Sequence, residues 1–394
     1  MKNKLLVSIM GSLFISIIIG MMLQGSTVIA DMFSPLGTIY INLIKMVMVP
    51  LVFSSLVIGV ANIGDFRKMG KLGVITITIF ISTTAVAVIL GLMLSLIFRP
   101  GIGIELASGS YEVKQFPNIV DIIVGIVPSN PLVALFEGNM LQIIFFSIVL
   151  GLSIVKTGES GCALKNILTS LYEVISVVTR GVMFLTPIGI LGLMIPVVAN
   201  NGVEVLLPLL KVIGVFYIGV MIQIGVVYCF LIKRFTKYTI KEFFTNMFPA
   251  MIVGFSTCSS AATLPVSLKQ VQNELKVSKE VSSFVLSLGA TINMDGNALY
   301  QGIVALFVAQ AYGVDLSITN MLIIILTGTL ASIGAAGVPG AGMIVLSTVL
   351  LSVGLPVDGI VIVAGIDRIL DMGRTAINIT GDAVTACVVD KYIN

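Results

Sequence analysis

Apolar runs long enough to cross a bilayer dominate the first half of the chain. They lie near residues 5–22, 36–60, 73–98, 118–155, 166–198 and 204–232. A spanning helix needs about 20 apolar residues, so each run predicts a transmembrane helix. Pro128 and Pro131 predict a break in the fourth run, because proline removes a backbone donor and clashes with the preceding turn. The pattern predicts six helices in this half.

The apolar run between Lys241 and Lys269 is interrupted by small and polar residues at 256–265. Basic residues flank the run at both ends, and basic residues favour the cytoplasmic side of a membrane. A segment that begins and ends on the same side must turn back inside the membrane. The pattern therefore predicts a re-entrant helical hairpin.

A second apolar run, 320–353, has a glycine-rich interruption at 334–342. Asp315 and Asp358 flank this run, which predicts a hairpin that enters from the opposite face. Two interrupted segments at corresponding places are typical of inverted repeats that meet at a midplane binding site. Two proline-kinked helices are the simpler alternative.

Composition supports a membrane protein, with 57% hydrophobic residues, 10% charged residues and a mean hydropathy of +1.12. A chain of 394 residues has room for roughly eight crossings. The net charge is only +3, and the basic residues form short clusters between the apolar runs, which argues against a nucleic-acid partner. Because basic clusters favour the cytoplasmic side, their positions predict that both termini lie in the cytoplasm. The four cysteines form no CxxC pair and histidine is absent, which excludes a disulfide scaffold and an ordinary zinc site. A cleaved signal peptide at 5–22 is the alternative for the N-terminus.

A polar centre at 289–297 interrupts the apolar helix between the two predicted hairpins. Asp295 would carry an uncompensated charge at membrane depth, at a cost of at least a few kcal/mol. Hard cations take oxygen ligands, and Asn293 and Asp295 could supply them with the carbonyls of an unwound turn. Thr83 and Thr84 could add hydroxyls. The alternative is an Asp295 carboxylate that is hydrogen-bonded to local amides.

The last predicted helix carries one polar stripe. At 100° per residue its members fall within an arc of roughly 120°. They are Asp367, Arg368, Asp371, Arg374, Thr375, Asn378 and Asp382. A carboxylate for an ammonium group, a guanidinium for a carboxylate and an amide between them describe a site for an acidic amino acid. An intrahelical ion pair between Asp371 and Arg374 is the alternative.

The chain resembles the dicarboxylate/amino acid:cation symporter family, the glutamate transporters, and especially the archaeal sodium-coupled aspartate transporters. The similarity covers nearly the whole chain and rests on the motifs at 45–50, 127–131, 293–296 and 371–375 and on both predicted hairpins. The resemblance implies an all-α polytopic membrane protein with eight transmembrane helices and two re-entrant hairpins. It also implies a homotrimer in the inner cell membrane, and a transporter rather than an enzyme.

The resemblance implies two structural parts. A scaffold would comprise residues 1–71 with helices 1 and 2, and residues 118–200 with helices 4 and 5. A mobile transport domain would comprise helix 3 at 72–117 and residues 201–394. The latter hold helix 6, hairpin 1 at about 242–270, helix 7 at about 280–311, hairpin 2 at about 318–353 and helix 8 at about 357–390. Substrate would cross by an elevator-like displacement of this domain.

The resemblance also implies the roles of the substrate-site residues. Asp371 would hold the substrate ammonium and Arg374 the side-chain carboxylate, and Asn378 would hold the α-carboxylate with the backbone of Ser260. The remaining predicted substrate-site residues are Asn297, Val338, Gly342 and Thr375. Dicarboxylate-selective members lack the aspartate that matches Asp371, and neutral amino-acid members lack the arginine that matches Arg374. The implied substrate is therefore L-glutamate or L-aspartate.

The co-transported ion implied by the resemblance is Na⁺. One site would use Asp382, Asn378 and backbone around Gly289 and Asn293. A second would use Thr83, Thr84, Asn293 and Asp295. A third would use Thr291 with hairpin 2 backbone, including Ser332. The presence of Asp382, and of Gln301 where potassium-exchanging members have glutamate, favours sodium alone.

Several positions depart from the family pattern. Asn297 replaces a common threonine, which leaves the choice between glutamate and aspartate open. Cys258 and Met372 occupy positions where relatives place an auxiliary arginine, and Arg368 is a candidate replacement for it. Proton coupling and transport of a C4-dicarboxylate or neutral amino acid stay open as alternatives. More distant alternatives are an ion channel and an intramembrane hydrolase with an aspartate pair.

Overall fold

The computed structural model describes residues 2–24, 26, 29–30, 32–66, 70–103, 124–201, 206–333 and 341–393. Within these ranges the chain is nearly all helical and contains no β-strand. The predicted all-α class is therefore confirmed. The numbers of spans and hairpins stay predictions.

The first half of the described chain forms α1 to α7. Their bounds are α1 Lys2–Met22, α2 Ser34–Phe66, α3 Lys71–Phe98, α4 Pro131–Glu137, α5 Met140–Thr157, α6 Glu159–Phe184 and α7 Thr186–Asn201. The predicted break in the fourth run is present, because Asn130 caps α4 and Pro131 opens it. The fifth run was predicted as one helix, but it forms α6 and α7. Pro187 lies in the first turn of α7, where its missing N–H costs little.

The second half forms α8 to α17 with two π-helical segments. The bounds are α8 Leu206–Ile222, a π-helical segment Gln223–Tyr228, α9 Cys229–Phe235, α10 Ile240–Thr257, α11 Ser260–Lys269, a second π-helical segment Gln270–Glu274, α12 Lys279–Ile292, α13 Asp295–Ala311, α14 Ile318–Ile333, α15 Ala341–Ser352, α16 Ile360–Ala364 and α17 Asp367–Ile393. Two helix breaks fall at Cys258–Ser259 and at Asn293–Met294, inside the interruptions predicted at 256–265 and 289–297. The interruption between α14 and α15 lies outside the described residues.

The break between α10 and α11 has a local cause. Cys258 ends α10 in the left-handed conformation, with φ at 53°, and its N–H donates to the Gly254 carbonyl. Ser259 then starts α11, because its side chain accepts a hydrogen bond from the Ala262 N–H at 3.2 Å. The two helices pack against each other. Cys258, Ser259 and Ser260 are buried at this turn, whereas Ala261 and Ala262 are exposed.

Close packing of α3 on α13 positions one half of the polar centre. A β-carbon on Gly91 would lie 2.4 Å from the Leu299 carbonyl oxygen, and one on Gly302 would lie 2.5 Å from the Val88 oxygen. Small residues allow this backbone approach, as they do between helices in membranes. The contact brings Thr84 of α3 beside the start of α13.

Helix α17 lies at the centre of the second half and contacts α3, α10, α12 and α13. Its polar stripe is buried against these helices, with only Arg368 partly exposed. By length and composition, three of the described segments could cross a membrane: Lys71–Phe98, Glu159–Thr179 and Leu207–Phe235. Further apolar helices of 10–17 residues lie among the described ranges. The polar stripe therefore faces protein in a chain whose surface suits lipid.

Candidate functional site

The Asp295 carboxylate is fully buried at the start of α13. Its Oδ1 accepts a hydrogen bond from the Thr84 hydroxyl at 2.6 Å, and its Oδ2 accepts one from the Tyr228 hydroxyl at 2.8 Å. The Gln223 amide adds a longer contact to Oδ2 at 3.4 Å. Among the described residues no cationic side chain pairs with Asp295. Neutral donors alone therefore surround this charge, which leaves it suited to a cation.

A second buried carboxylate, Asp382, lies on α17 against the break between α12 and α13. Asn293 donates from Nδ2 to Asp382 Oδ1 at 2.9 Å. A β-carbon on Gly289 would lie 2.2 Å from the same oxygen, so only glycine leaves room for the carboxylate. Asn293 Oδ1 is buried, and none of the described residues gives it a hydrogen-bond partner. The cluster thus contains a carboxylate and a spare amide oxygen, both of which are suitable ligands for a hard cation.

Asn378 links the helix break to α17. Its Oδ1 accepts a hydrogen bond from the Gly296 N–H at 2.8 Å, and its Nδ2 lies 3.1 Å from the Met294 sulfur. Asn293 also contacts the Asn378 carbonyl at 3.4 Å. The predicted residues Gly289, Asn293, Asn378 and Asp382 are therefore brought together in one place.

Arg374 is fully buried and holds two carboxylates of its own helix. Its Nη1 lies 2.8 Å from Asp367 Oδ1, and its Nη2 lies 2.9 Å from Asp371 Oδ1. Nε also donates to Asp371 Oδ1 at 3.2 Å. The guanidinium carbon lies 4.3 Å from the centre of the Tyr300 ring, a cation–π contact. The intrahelical ion pair considered as an alternative is therefore present.

The guanidinium still has donors to offer. Both Nη contacts are ion pairs by distance, and among the described residues the geometry of neither nitrogen meets the criteria of an aligned hydrogen bond. The Gly342 backbone lies beside it, because a β-carbon there would lie 2.6 Å from Nη1. A planar fork with free N–H directions suits a carboxylate ligand. Arg374 can thus bind an anion if its pairing with Asp371 changes.

The other predicted residues differ in their placement. Ser260, Asn297 and Thr375 are buried, at the start of α11, in the first turn of α13 and next to Arg374. Thr291 is exposed and donates to the Leu288 carbonyl of its own helix at 3.1 Å. Val338 lies outside the described residues. These positions keep their roles as predictions.

Ser332 and Thr83 are both buried. The Ser332 hydroxyl lies 3.5 Å from Gln301 Oε1. The Thr83 hydroxyl donates to the Phe80 carbonyl at 3.2 Å, and its side chain also lies within hydrogen-bonding reach of Asp295. Arg368 makes no ion pair or hydrogen bond among the described residues. It is Arg374, not Arg368, that pairs with Asp371.

Four contacting residues were missing from the predicted site. Gln223 and Tyr228 bind Asp295, and Asp367 and Tyr300 contact Arg374. Gln223 and Tyr228 interrupt the apolar run at 204–232, which was a usable signal. Asp367 is a member of the polar stripe that received no role. In the sequence, Tyr300 is indistinguishable from an aromatic residue of the apolar core. Only the packing of α13 on α17 brings its ring against Arg374.

Comparison with known proteins addresses the class of this site. The model of the sodium:dicarboxylate symporter family matches residues 5–392. A proton/sodium-glutamate symport protein of Geobacillus stearothermophilus is 38% identical over 390 residues, which cover 96% of this chain and 92% of the relative. A proton/glutamate-aspartate symporter of Escherichia coli K12 is 35% identical over 377 residues, 92% and 86% of the two chains.

A C4-dicarboxylate transport protein of Bacillus subtilis strain 168 is 30% identical over 401 residues, 100% of this chain and 94% of the relative. The matches agree with the resemblance seen in the motifs and with buried charges in an apolar helical protein. They exclude the aspartyl-hydrolase alternative, since family and relatives are transporters and not enzymes. The chain belongs to the sodium:dicarboxylate symporter family, a family of multi-pass membrane transporters.

Proposed function

We propose that the protein is a secondary active transporter that couples the uptake of L-glutamate or L-aspartate to sodium. The observation that carries the substrate class is the buried Arg374 held between Asp367 and Asp371. A guanidinium and a carboxylate on one helix turn match the carboxylate and the ammonium of an acidic amino acid. The names of the glutamate and glutamate-aspartate relatives support the same class.

Substrate binding would exchange one ion pair for two. The substrate side-chain carboxylate takes the Arg374 fork, and the freed Asp371 takes the ammonium group. Asp367 stays on Arg374 and keeps the guanidinium oriented. Asn378 and the backbone of Ser260 bind the α-carboxylate. Because buried charges must be paired, each group released by the exchange gains a new partner.

Charge balance supports cation coupling. Arg374, Asp367 and Asp371 together carry one net negative charge when all are ionised, and an acidic amino acid adds another. Asp295 and Asp382 add two more inside the same buried region. Such a surplus is expensive in a low-dielectric interior. Bound sodium ions would supply the missing positive charge, so substrate and cation favour each other's binding.

The proposed sodium ligands are those that the family resemblance implies, and two of the three sets contain a buried carboxylate. Asp382, Asn378 and backbone around Gly289 and Asn293 would form one site. Thr83, Thr84, Asn293 and Asp295 would form another. A third would combine Thr291 with hairpin 2 backbone, including Ser332. Oxygen donors of this kind suit a hard cation.

The wider arrangement belongs to the same proposal. Eight transmembrane helices and two re-entrant hairpins would form a homotrimer in the inner cell membrane, with both termini in the cytoplasm. Residues 1–71 and 118–200 would form the scaffold, and residues 72–117 and 201–394 the mobile domain. Elevator-like movement of that domain would alternate access, with hairpin 2 ordered as a gate when sodium is bound.

Two alternatives lie within the family. The Geobacillus stearothermophilus relative is named for protons and sodium, and the Escherichia coli relative is named for protons alone. The Bacillus subtilis relative is named for C4-dicarboxylates. Asp371 argues against a substrate without an ammonium group, because its carboxylate would then repel the ligand. Asp382 argues for sodium, since proton-coupled bacterial members often lack the matching carboxylate.

Uptake into proteoliposomes tests the proposal. Labelled glutamate and aspartate are offered under an imposed sodium, potassium or proton gradient, with serine and succinate as competitors. Saturable uptake driven by sodium is expected, and Arg374→Cys should abolish acidic uptake. Uptake driven only by protons, preference for succinate, or unchanged acidic uptake by Arg374→Cys would contradict the assignment.

A further inference from the structure

The π-helical segment Gln223–Tyr228 presents two polar side chains to one carboxylate. Residues five apart on an α-helix point about 140° away from each other, since each residue turns the helix by about 100°. A π-helical turn closes hydrogen bonds between residues five apart and therefore stacks them. Gln223 and Tyr228 are five apart, and both contact Asp295 Oδ2. The wide turn is thus the local reason that both reach this charge.

The Gln223 amide is only half satisfied. Its Nε2 makes two long contacts of 3.4 Å, to Asp295 Oδ2 and to the Thr83 carbonyl oxygen. Its Oε1 is buried and has no hydrogen-bond partner in the part of the chain that the structure describes. An unpaired buried acceptor costs roughly 1–3 kcal/mol, so natural interiors rarely contain one without a reason. Here the spare oxygen belongs to a side chain that contacts the Asp295 carboxylate, which has no cationic partner among the described residues.

A second glutamine shows what a purely structural amide looks like in this protein. Gln310 also joins α3 to α13, and both of its polar atoms are paired. Its Oε1 accepts from the Gly101 N–H at 2.9 Å, and its Nε2 donates to the Ser95 carbonyl at 3.1 Å. In Gln223, by contrast, only Nε2 makes polar contacts. Gln301 Nε2 and both amide atoms of Asn320 also lack a hydrogen-bond partner among the described residues. What sets Gln223 apart is that its unpaired amide lies beside the Asp295 carboxylate.

We propose that Gln223 selects and binds the cation that enters at Asp295. Without the cation, Nε2 faces the carboxylate as a weak neutral donor. With the cation bound, the amide turns so that Oε1 becomes a ligand beside Asp295, the Thr84 hydroxyl and the Thr83 carbonyl. A turn of the amide exchanges nitrogen for oxygen with little change of shape.

Tyr228 acts as the positioning residue of this arrangement. Its hydroxyl lies within 2.8 Å of Asp295 Oδ2 and 3.3 Å of the Ile377 carbonyl. It thereby holds the carboxylate in place while Gln223 turns. The inference rests on the proposed sodium coupling, and it adds Gln223 and Tyr228 to the residues that the sequence predicted for this site.

The test compares Gln223→Met with the matched variant Gln310→Met in the full-length, reconstituted protein. Initial uptake of the labelled amino acid is measured against sodium concentration, and against lithium as a smaller cation. Gln223→Met should raise the half-saturating sodium concentration about tenfold or more and alter the preference for sodium over lithium, with the KM for the amino acid at saturating sodium little changed. Gln310→Met should lower thermal stability and leave the sodium dependence at the wild-type value.

Uptake by the wild-type protein shows whether a negative result concerns the Gln223 assignment or the proposed sodium coupling itself. If wild-type uptake follows protons and ignores sodium, both are overturned. If wild-type uptake follows sodium and Gln223→Met keeps the wild-type half-saturating concentration, only the Gln223 assignment is overturned. The Gln223 assignment is also overturned if Gln223→Met and Gln310→Met change the half-saturating sodium concentration equally.

Thermal stability measured with and without sodium tests the proposal even if a variant does not transport. Gln223→Glu keeps the shape, replaces the N–H donor with a second ligand oxygen and adds a negative charge beside Asp295. It should unfold at lower temperature without sodium and be stabilised by sodium more than the wild type, while Gln223→Met is stabilised less. Destabilisation of Gln223→Glu that sodium does not relieve would mean that the amide acts only as a structural donor, and would overturn the proposal.

Discussion

Gly296 lies directly against the backbone of Arg374. A β-carbon on Gly296 would lie 2.3 Å from the Arg374 carbonyl oxygen and 2.4 Å from its Cα. The Gly296 N–H also donates to Asn378 on the same helix at 2.8 Å. The start of α13 and the middle of α17 are therefore in backbone contact. This contact sets the distance between the carboxylate clusters and the guanidinium.

Gly296→Ala should be strongly destabilising, because neither backbone can give way to a methyl group without moving a helix. We expect a loss of about 1–3 kcal/mol or more. Gly214→Ala is the matched control, since a β-carbon on Gly214 in α8 meets nothing within 4 Å. That variant should be neutral or gain up to about 1 kcal/mol from helix propensity. Thermal unfolding of the purified protein in detergent compares them, and equal melting temperatures would contradict the packing argument.

Arg374→Leu should destabilise the protein by about 3–5 kcal/mol, because Asp367 and Asp371 would lose their buried cation. Adding Asp367→Asn should recover part of this loss, since it removes one of the two unpaired charges. Acidic amino-acid uptake should stay absent in the double variant. A double-mutant cycle of melting temperature measures the coupling. Additive effects would mean that the two side chains do not form an energetic pair.

Asp382→Asn should weaken the stabilisation of the protein by sodium. The substitution keeps the shape and removes the charge beside Asn293. A ligand that binds only the folded state raises stability by an amount that grows with its concentration. We expect a smaller rise of melting temperature with sodium than in the wild type. Asp358→Asn, at an exposed carboxylate, is the control and should respond to sodium like the wild type.

Asp390→Ala should affect stability without affecting ion dependence. Asp390 lies near the end of α17, and its Oδ1 accepts from the Ser278 N–H at 3.1 Å and hydroxyl at 2.8 Å, at the start of α12. Hydrogen bonds to a charged group contribute about 1.5–3 kcal/mol. The variant should melt at lower temperature and keep the wild-type half-saturating sodium concentration. A changed sodium dependence would mean that this end of α17 communicates with the ion sites.

The predicted elements were right where local chemistry decides them. Pro131, Cys258 with Ser259, and Asn293 mark helix boundaries through a missing donor, a left-handed cap, and an unwound turn. The division of the fifth run was missed, because Pro187 is equally compatible with a kinked helix and with the first turn of a new one. Composition alone does not distinguish these cases.

The sequence by itself determined the helical membrane class, the family and the polar stripe of α17, because hydropathy, helical period and motif order are properties of the chain. Tertiary structure alone decided which partners those charges have. Asp295 meets Gln223 and Tyr228 across a π-helical turn, and Arg374 rests on Tyr300. These contacts join residues far apart in the chain through the packing of glycine-lined helices, which no local pattern encodes.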